Sequence, residues 1–150
     1  MNNRARRWVA VLVLAMGVLC VTAAAEQAED AKITAAAAVV RHIASSVVGN
    51  PPQRTYLAYF GKRPPESLWR LVQDIPGLRP IPDRWRVGDT DDPSQLLDVR
   101  RVKRAKSMAV LVTASVTGTL GFGLDDCTYE ARRRDGAWQV ESGATRCAIF

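Results

Sequence analysis

The chain has 150 residues, with 21 lysines and arginines against 15 acids, three cysteines and one histidine. That length suits one hydrophobic core, not two. A formal charge of +6 is modest and partly gathered at the N-terminus, so it does not mark a nucleic-acid binder. A single histidine excludes a multi-histidine zinc site.

The N-terminus carries an address. Arg4, Arg6 and Arg7 precede an uncharged run from Trp8 to Val21, closed by Ala23-Ala24-Ala25. This is the anatomy of a secretory signal peptide, with cleavage expected after Ala25 and a working chain of Glu26–Phe150 in the periplasm or outside the cell. The run is short against the roughly 20 apolar residues of a spanning helix, although a retained anchor would give the same topology. Cys20 follows Leu19, which argues against lipidation. Without the leader, 18 basic residues face 15 acids, a net charge of +3.

Residues 26–32 read as a polar lead-in, with Asp30 as helix N-cap. Ile33, Ala37, Val40, Ala44 and Val47 recur every three or four positions, predicting an amphipathic helix that stops at Gly49-Asn50-Pro51. On a helical wheel His42 falls roughly 180° from that stripe and is expected in solvent. Arg54–Phe60 fits a short strand or a short helix, with its aromatic content favouring strand. Glu66–Asp74 predicts a second helix, with Leu68, Leu71 and Val72 inward, ended by Pro76-Gly77.

Residues 78–95 hold three prolines and the acids Asp89, Asp91 and Asp92, and read as an irregular segment anchored by Trp85. The acids lack the alternation and terminal glutamate of a calcium loop, so a solvated turn is expected and no metal is assigned. From Leu96 the period becomes two. Leu96–Lys103 is a first strand. Met108–Thr117 is apolar on both faces, as in a central strand. Gly118, Gly121 and Gly123 form a link. Cys127–Arg134 and Ala137–Ser142 flank Asp135-Gly136, a two-residue hairpin signal. The expected architecture is α+β, a single domain over 26–150, with N-terminal helices packed on a curved antiparallel sheet of about four strands ending in a hairpin.

With its final hairpin CTYEARRRDGAWQVES, this layout resembles small exported domains of the nuclear-transport-factor-2-like or cystatin-like kind. Enzymes of the first group often carry an Asp–His pair in a cone-shaped pocket. No histidine falls in the sheet here, so the resemblance implies a fold and no activity.

The hairpin turn sets a register. Ala131 faces Val140, Arg133 faces Trp138, and Glu130 lies opposite Glu141 with Arg132 close enough to neutralise both. Cys127 and Cys147 are an even pair in an oxidising compartment, so a disulfide is expected. The regular register puts them three residues out of step, ~10 Å along the strand, too far for a bridge. The ladder must therefore break before Cys147, with Gly143 the natural place.

Arg100, Arg101, Lys103, Arg104 and Lys106 crowd into seven residues, and with Arg132, Arg133 and Arg134 would form a basic patch. Such a patch suits an acidic protein or anionic lipid headgroups. The alternative is a charged strand edge that resists aggregation. Tyr56, Tyr59, Trp69 and Trp85 would line a pocket between the sheet and helix 33–48, or simply belong to the core. No nucleophile–base pair stands out, so no catalytic residue or cofactor is assigned. The expected function is an exported, non-catalytic binding module, of the inhibitor or immunity kind, for an acidic protein. The alternative is a small-ligand or enzymatic domain using the aromatic pocket.

Overall fold

From Val18 to Val47 the sequence has neither glycine nor proline and is rich in alanine, so nothing interrupts a helix once it has begun. In a computed structural model, which describes residues 3–47, 54–83, 94–105, 108–118, 123–141 and 146–147, helix α1 accordingly spans Asn3–Val47. Asp30 therefore lies inside α1 and is not its N-cap. No helix among the described residues is long and apolar enough to cross a membrane. The chain divides into two compact units, residues 1–31 and 32–150. The first is helical from Asn3 onward. The second holds the rest of α1 and the sheet.

In chain order the second unit adds β1 (Arg54–Tyr59), α2 (Glu66–Val72), β2 (Leu78–Pro80), β3 (Ser94–Arg104), β4 (Ala109–Gly118), β5 (Gly123–Arg134), β6 (Ala137–Val140) and β7 (Arg146–Cys147). The sheet order is β2-β1-β3-β4-β5-β6, with β7 also paired to β5. The class is α+β, and β3 to β6 form the expected antiparallel meander.

Two expectations need correction. Among the described residues the sheet has seven strands, not about four: β1 joins it, and β2 and β7, with three and two residues, are too short to show a period. The sheet is also mixed, since β1 runs parallel to both β2 and β3. The α2 connection carries the chain back before β2, which is the crossover that parallel pairing requires. The segment read as irregular therefore begins with a strand, Leu78–Pro80. Trp85, Asp89, Asp91, Asp92, Lys106, Gly121, Gly143 and the terminal residues 148–150 lie outside the described residues.

Alternation divides the sheet into two faces. The inner face carries Leu57, Leu97, Val99, Val110, Val112, Ala114, Val116, Cys127, Tyr129 and Ala131, which join Ile33, Val39, Val40 and Ile43 of α1 and Leu68 and Val72 of α2 in one core. Each fully buried valine or leucine there contributes about 1.5–3 kcal/mol. Leu71, expected inside, is instead 38% exposed: the buried side of this two-turn helix is the i, i+4 pair Leu68 and Val72.

His42 departs from its expected place as well. Ala35, Ala36, Val39 and Ile43 are buried together with Ile33, Ala37, Val40 and Ala44. The buried face of α1 is therefore wider than the stripe read from spacing, and its centre moves by roughly 50°. That movement brings His42 to the border of the face, half-buried against Tyr129.

The hairpin register is the expected one, with Ala131 opposite Val140 and Arg133 opposite Trp138. Asp135 and Gly136 both have positive φ, 51° and 81°, the conformation of a type I′ turn. Cys127 and Cys147 form a disulfide and stand directly opposite each other in the β5–β7 ladder. The three-residue offset is thus absorbed between β6 and β7.

Candidate functional site: the outer sheet face

The outer face is built from the residues that alternate with the core. Tyr56 and Leu96 lie side by side on β1 and β3. One row on, Ala58, Asp98 and Ser115 are aligned across β1, β3 and β4, and all three are buried. Next come Arg101, Thr113, Thr128 and Arg146, one each from β3, β4, β5 and β7. The Thr113 and Thr128 hydroxyls are hydrogen-bonded at 2.9 Å. Beyond them stand Lys103, Leu111 and Glu130.

Two register shifts shape this face. The first lies between Val99 and Arg101 on β3. It frees Arg100 from the alternation and turns its side chain over the sheet. The guanidinium lies 3.6 Å from the Asp98 carboxylate and 3.1 Å from that of Asp126. Asp126 follows from the second shift, between Ala114 and Val116 of β4, where β5 gains a residue. Asp98 also accepts a 3.1 Å hydrogen bond from the Gly61 N–H. Phe60 and Gly61 both have positive φ, 54° and 69°, so this carboxylate holds a tight turn at the end of β1.

The carboxylate pair predicted at the hairpin is present and neutralised. The Glu141 N–H donates to the Glu130 carbonyl at 3.0 Å, which places the two residues opposite each other. Arg132 lies 2.7 Å from Glu130 and 3.7 Å from Glu141. Arg134 pairs with Glu141. The two glutamates hold the Arg132 pKa above its ordinary value, mainly through its hydrogen bond to Glu130. Ion-paired in this way, they form a charge lattice.

The predicted basic residues that are described therefore separate into three groups. Arg100, Arg132 and Arg134 are engaged with acids. Arg101 and Lys103 are exposed on the outer face and have no carboxylate partner among the described residues. Arg104 and Arg133 stand on the inner-face side of their strands, at the sheet's end. The sequence reading overlooked Arg146, which β7 adds beside Thr128. A two-residue strand offers no pattern from which to find it.

Among the described residues Tyr56, Tyr59 and Trp69 are not brought together in one pocket; Trp85 lies outside those residues. Tyr56 and Tyr59 are three residues apart on one strand and so point to opposite faces. Tyr59 and Trp69 pack against the core from its margin. An open groove of about 580 Å³ does lie between the C-terminal half of α1 and the sheet, at the β5–β6 hairpin, but Tyr56, Tyr59 and Trp69 are not in its walls. Ala37, Ala38, His42, Leu71, Trp138 and Val140 contribute to its walls. Its signal in the sequence was the alternation of Trp138 and Val140, which turns both toward α1. No family model, curated protein or solved structure matches the chain.

Proposed function

We propose that this protein is an exported, non-catalytic binding module that holds an acidic protein partner on its outer sheet face, as an inhibitor or immunity-type protein does. One observation carries the reading. Each carboxylate described on that face is already paired with Arg100, Arg132 or Arg134. The cations Arg101, Lys103 and Arg146 have no acid beside them among the described residues. Their field is therefore available to an incoming carboxylate. The Thr113–Thr128 hydroxyl pair lies between two of them and offers polar contacts to the same partner.

Export is supported by the leader anatomy and by the disulfide, which persists in oxidising compartments. N-terminal sequencing of protein from the native host should begin at Glu26.

Retention on immobilised polyglutamate across a salt series tests the surface. Wild type should bind at low salt and be released as ionic strength rises. Arg101→Glu/Lys103→Glu should lose that retention while unfolding at the same temperature, because neither cation supports the fold. Equal retention of wild type and variant across the series would overturn the proposal.

A further inference from the structure

The geometry points to a second binding site: we propose that the groove between α1 and β6 receives an extended peptide segment of a partner protein, which joins the sheet as an added strand. This site is separate from the outer-face cations and does not depend on them.

The strand β6 is the last in the sheet order. Its pairing shows which backbone groups remain open. Arg134 and Ala137 close the two-residue turn, and the Glu141 N–H bonds to the Glu130 carbonyl. Hydrogen-bonded and non-bonded pairs alternate along an antiparallel ladder. Arg132 and Gln139 are therefore bonded, while the N–H and C=O of Trp138 and Val140 point away from β5. Among the described residues nothing accepts or donates to those four groups. Edges of this kind are usually blunted by proline or lysine, and Ala137–Val140 contains neither.

The groove lies directly beside this edge. Trp138 and Val140, whose backbones offer the hydrogen bonds, also turn their side chains into it. Ala37 and Ala38 form the opposite wall, and their small size leaves room for a side chain. An added strand would bond to Trp138 and Val140 and point every second residue between α1 and the hairpin. Strand addition takes affinity from the backbone and specificity from such alternate pockets.

Charge complementarity narrows the occupant. Arg41 borders the groove but is held by Asp74 at 2.6 Å, so it exerts little net charge there. Arg133 lies directly across from Trp138. It is exposed, its Nε donates only to the Gly136 carbonyl at 3.3 Å, and it has no carboxylate among the described residues. The fitting segment alternates apolar residues over about four positions and carries an acid at the end near the hairpin.

An array of capped decapeptides, probed with the folded full-length protein, tests this. Binders should show apolar residues with a period of two and an acid at one end. Val140→Pro removes an outward N–H without touching the β5 ladder, a position where proline is tolerated, and should weaken binding at least tenfold. Ala38→Trp fills the groove from the helix side and should do the same, which keeps the test valid should the proline variant fail to fold. Arg133→Glu should exchange the preferred acid for a base. Three results would overturn the proposal: no binder on the array, binders without the alternation that both variants retain, or a wild-type dimer abolished by Val140→Pro, in which a second copy owns the edge.

Discussion

The His42 imidazole stands edge-on to the Tyr129 ring, with centroids 5.9 Å apart and planes at 67°. This contact ties α1 to the centre of β5. Edge-to-face pairs contribute about 0.5–1.5 kcal/mol beyond their area, so His42→Ala should lower the unfolding free energy by about 1 kcal/mol. A solvent-facing histidine would leave it unchanged. Chemical denaturation of the two proteins distinguishes the cases.

Tyr129 itself gives an alkaline signature. Burial pushes its phenol above the ordinary value of 10.0. The unfolded chain then loses this proton before the folded one, so stability is complete below about pH 10 and falls as pH rises toward the folded value. Tyr129→Phe should flatten that part of the stability–pH curve, read from urea midpoints between neutral and strongly alkaline pH. An unchanged alkaline limb would refute the assignment.

The Cys127–Cys147 bridge closes a loop with a sequence separation of 20. Chain entropy for a loop of that size predicts about 3 kcal/mol, which for a domain of this length corresponds to a melting temperature lower by about 10 °C after removal. Cys127→Ala/Cys147→Ala, or wild type in reductant, should show that loss in calorimetry. Retention on polyglutamate below the transition should weaken, since the bridge holds β7, and with it Arg146, beside Thr128.

Asp74 receives two hydrogen bonds from Arg41, at 2.6 and 3.0 Å, and the same guanidinium donates to the Leu71 carbonyl at 2.6 Å. The Arg41 hydrogen bond holds the Asp74 carboxyl below its ordinary 3.8. Its contribution is therefore present above that value and lost as pH falls through the lower folded one. The pair is exposed, so salt screens it. Asp74→Asn should reduce stability at neutral pH in low salt, and the difference should vanish both in strong acid and at high salt.

Asp98 is the most consequential acid of the outer face. It is 8% exposed, accepts from the Gly61 N–H and pairs with Arg100. Removing it takes the charged acceptor from the part-buried Gly61 hydrogen bond and leaves one side of Arg100 unpaired. Asp98→Ala should cost about 1–3 kcal/mol, measured by urea titration, and should accelerate amide exchange at Gly61. A loss below half a kilocalorie would show that the turn holds itself.

Much of the antiparallel half was legible from local pattern. Asp135-Gly136 allows one hairpin register, and that register placed Ala131, Arg133 and Glu130 opposite their observed partners. The same arithmetic showed that a Cys127–Cys147 bridge required a three-residue irregularity, which the structure contains. These features depend on residues close in sequence, where turn geometry and the two-residue period leave few choices. The rest rests on contacts that no local pattern encodes. Arg54 of β1 pairs with Ser94 of β3 across forty residues, and a six-residue strand carries no mark of its partner or direction. The bulge after Val99 moves Arg100 from a repelling cluster into a pair with Asp98 and Asp126. The width of the α1 contact, set by how the sheet meets Val39 and Ile43, takes His42 from solvent to Tyr129. Sequence thus determined the elements and the hairpin, because their energies are local. Tertiary packing decided which charges are neutralised and which are left for a partner, because that depends on which strands become neighbours.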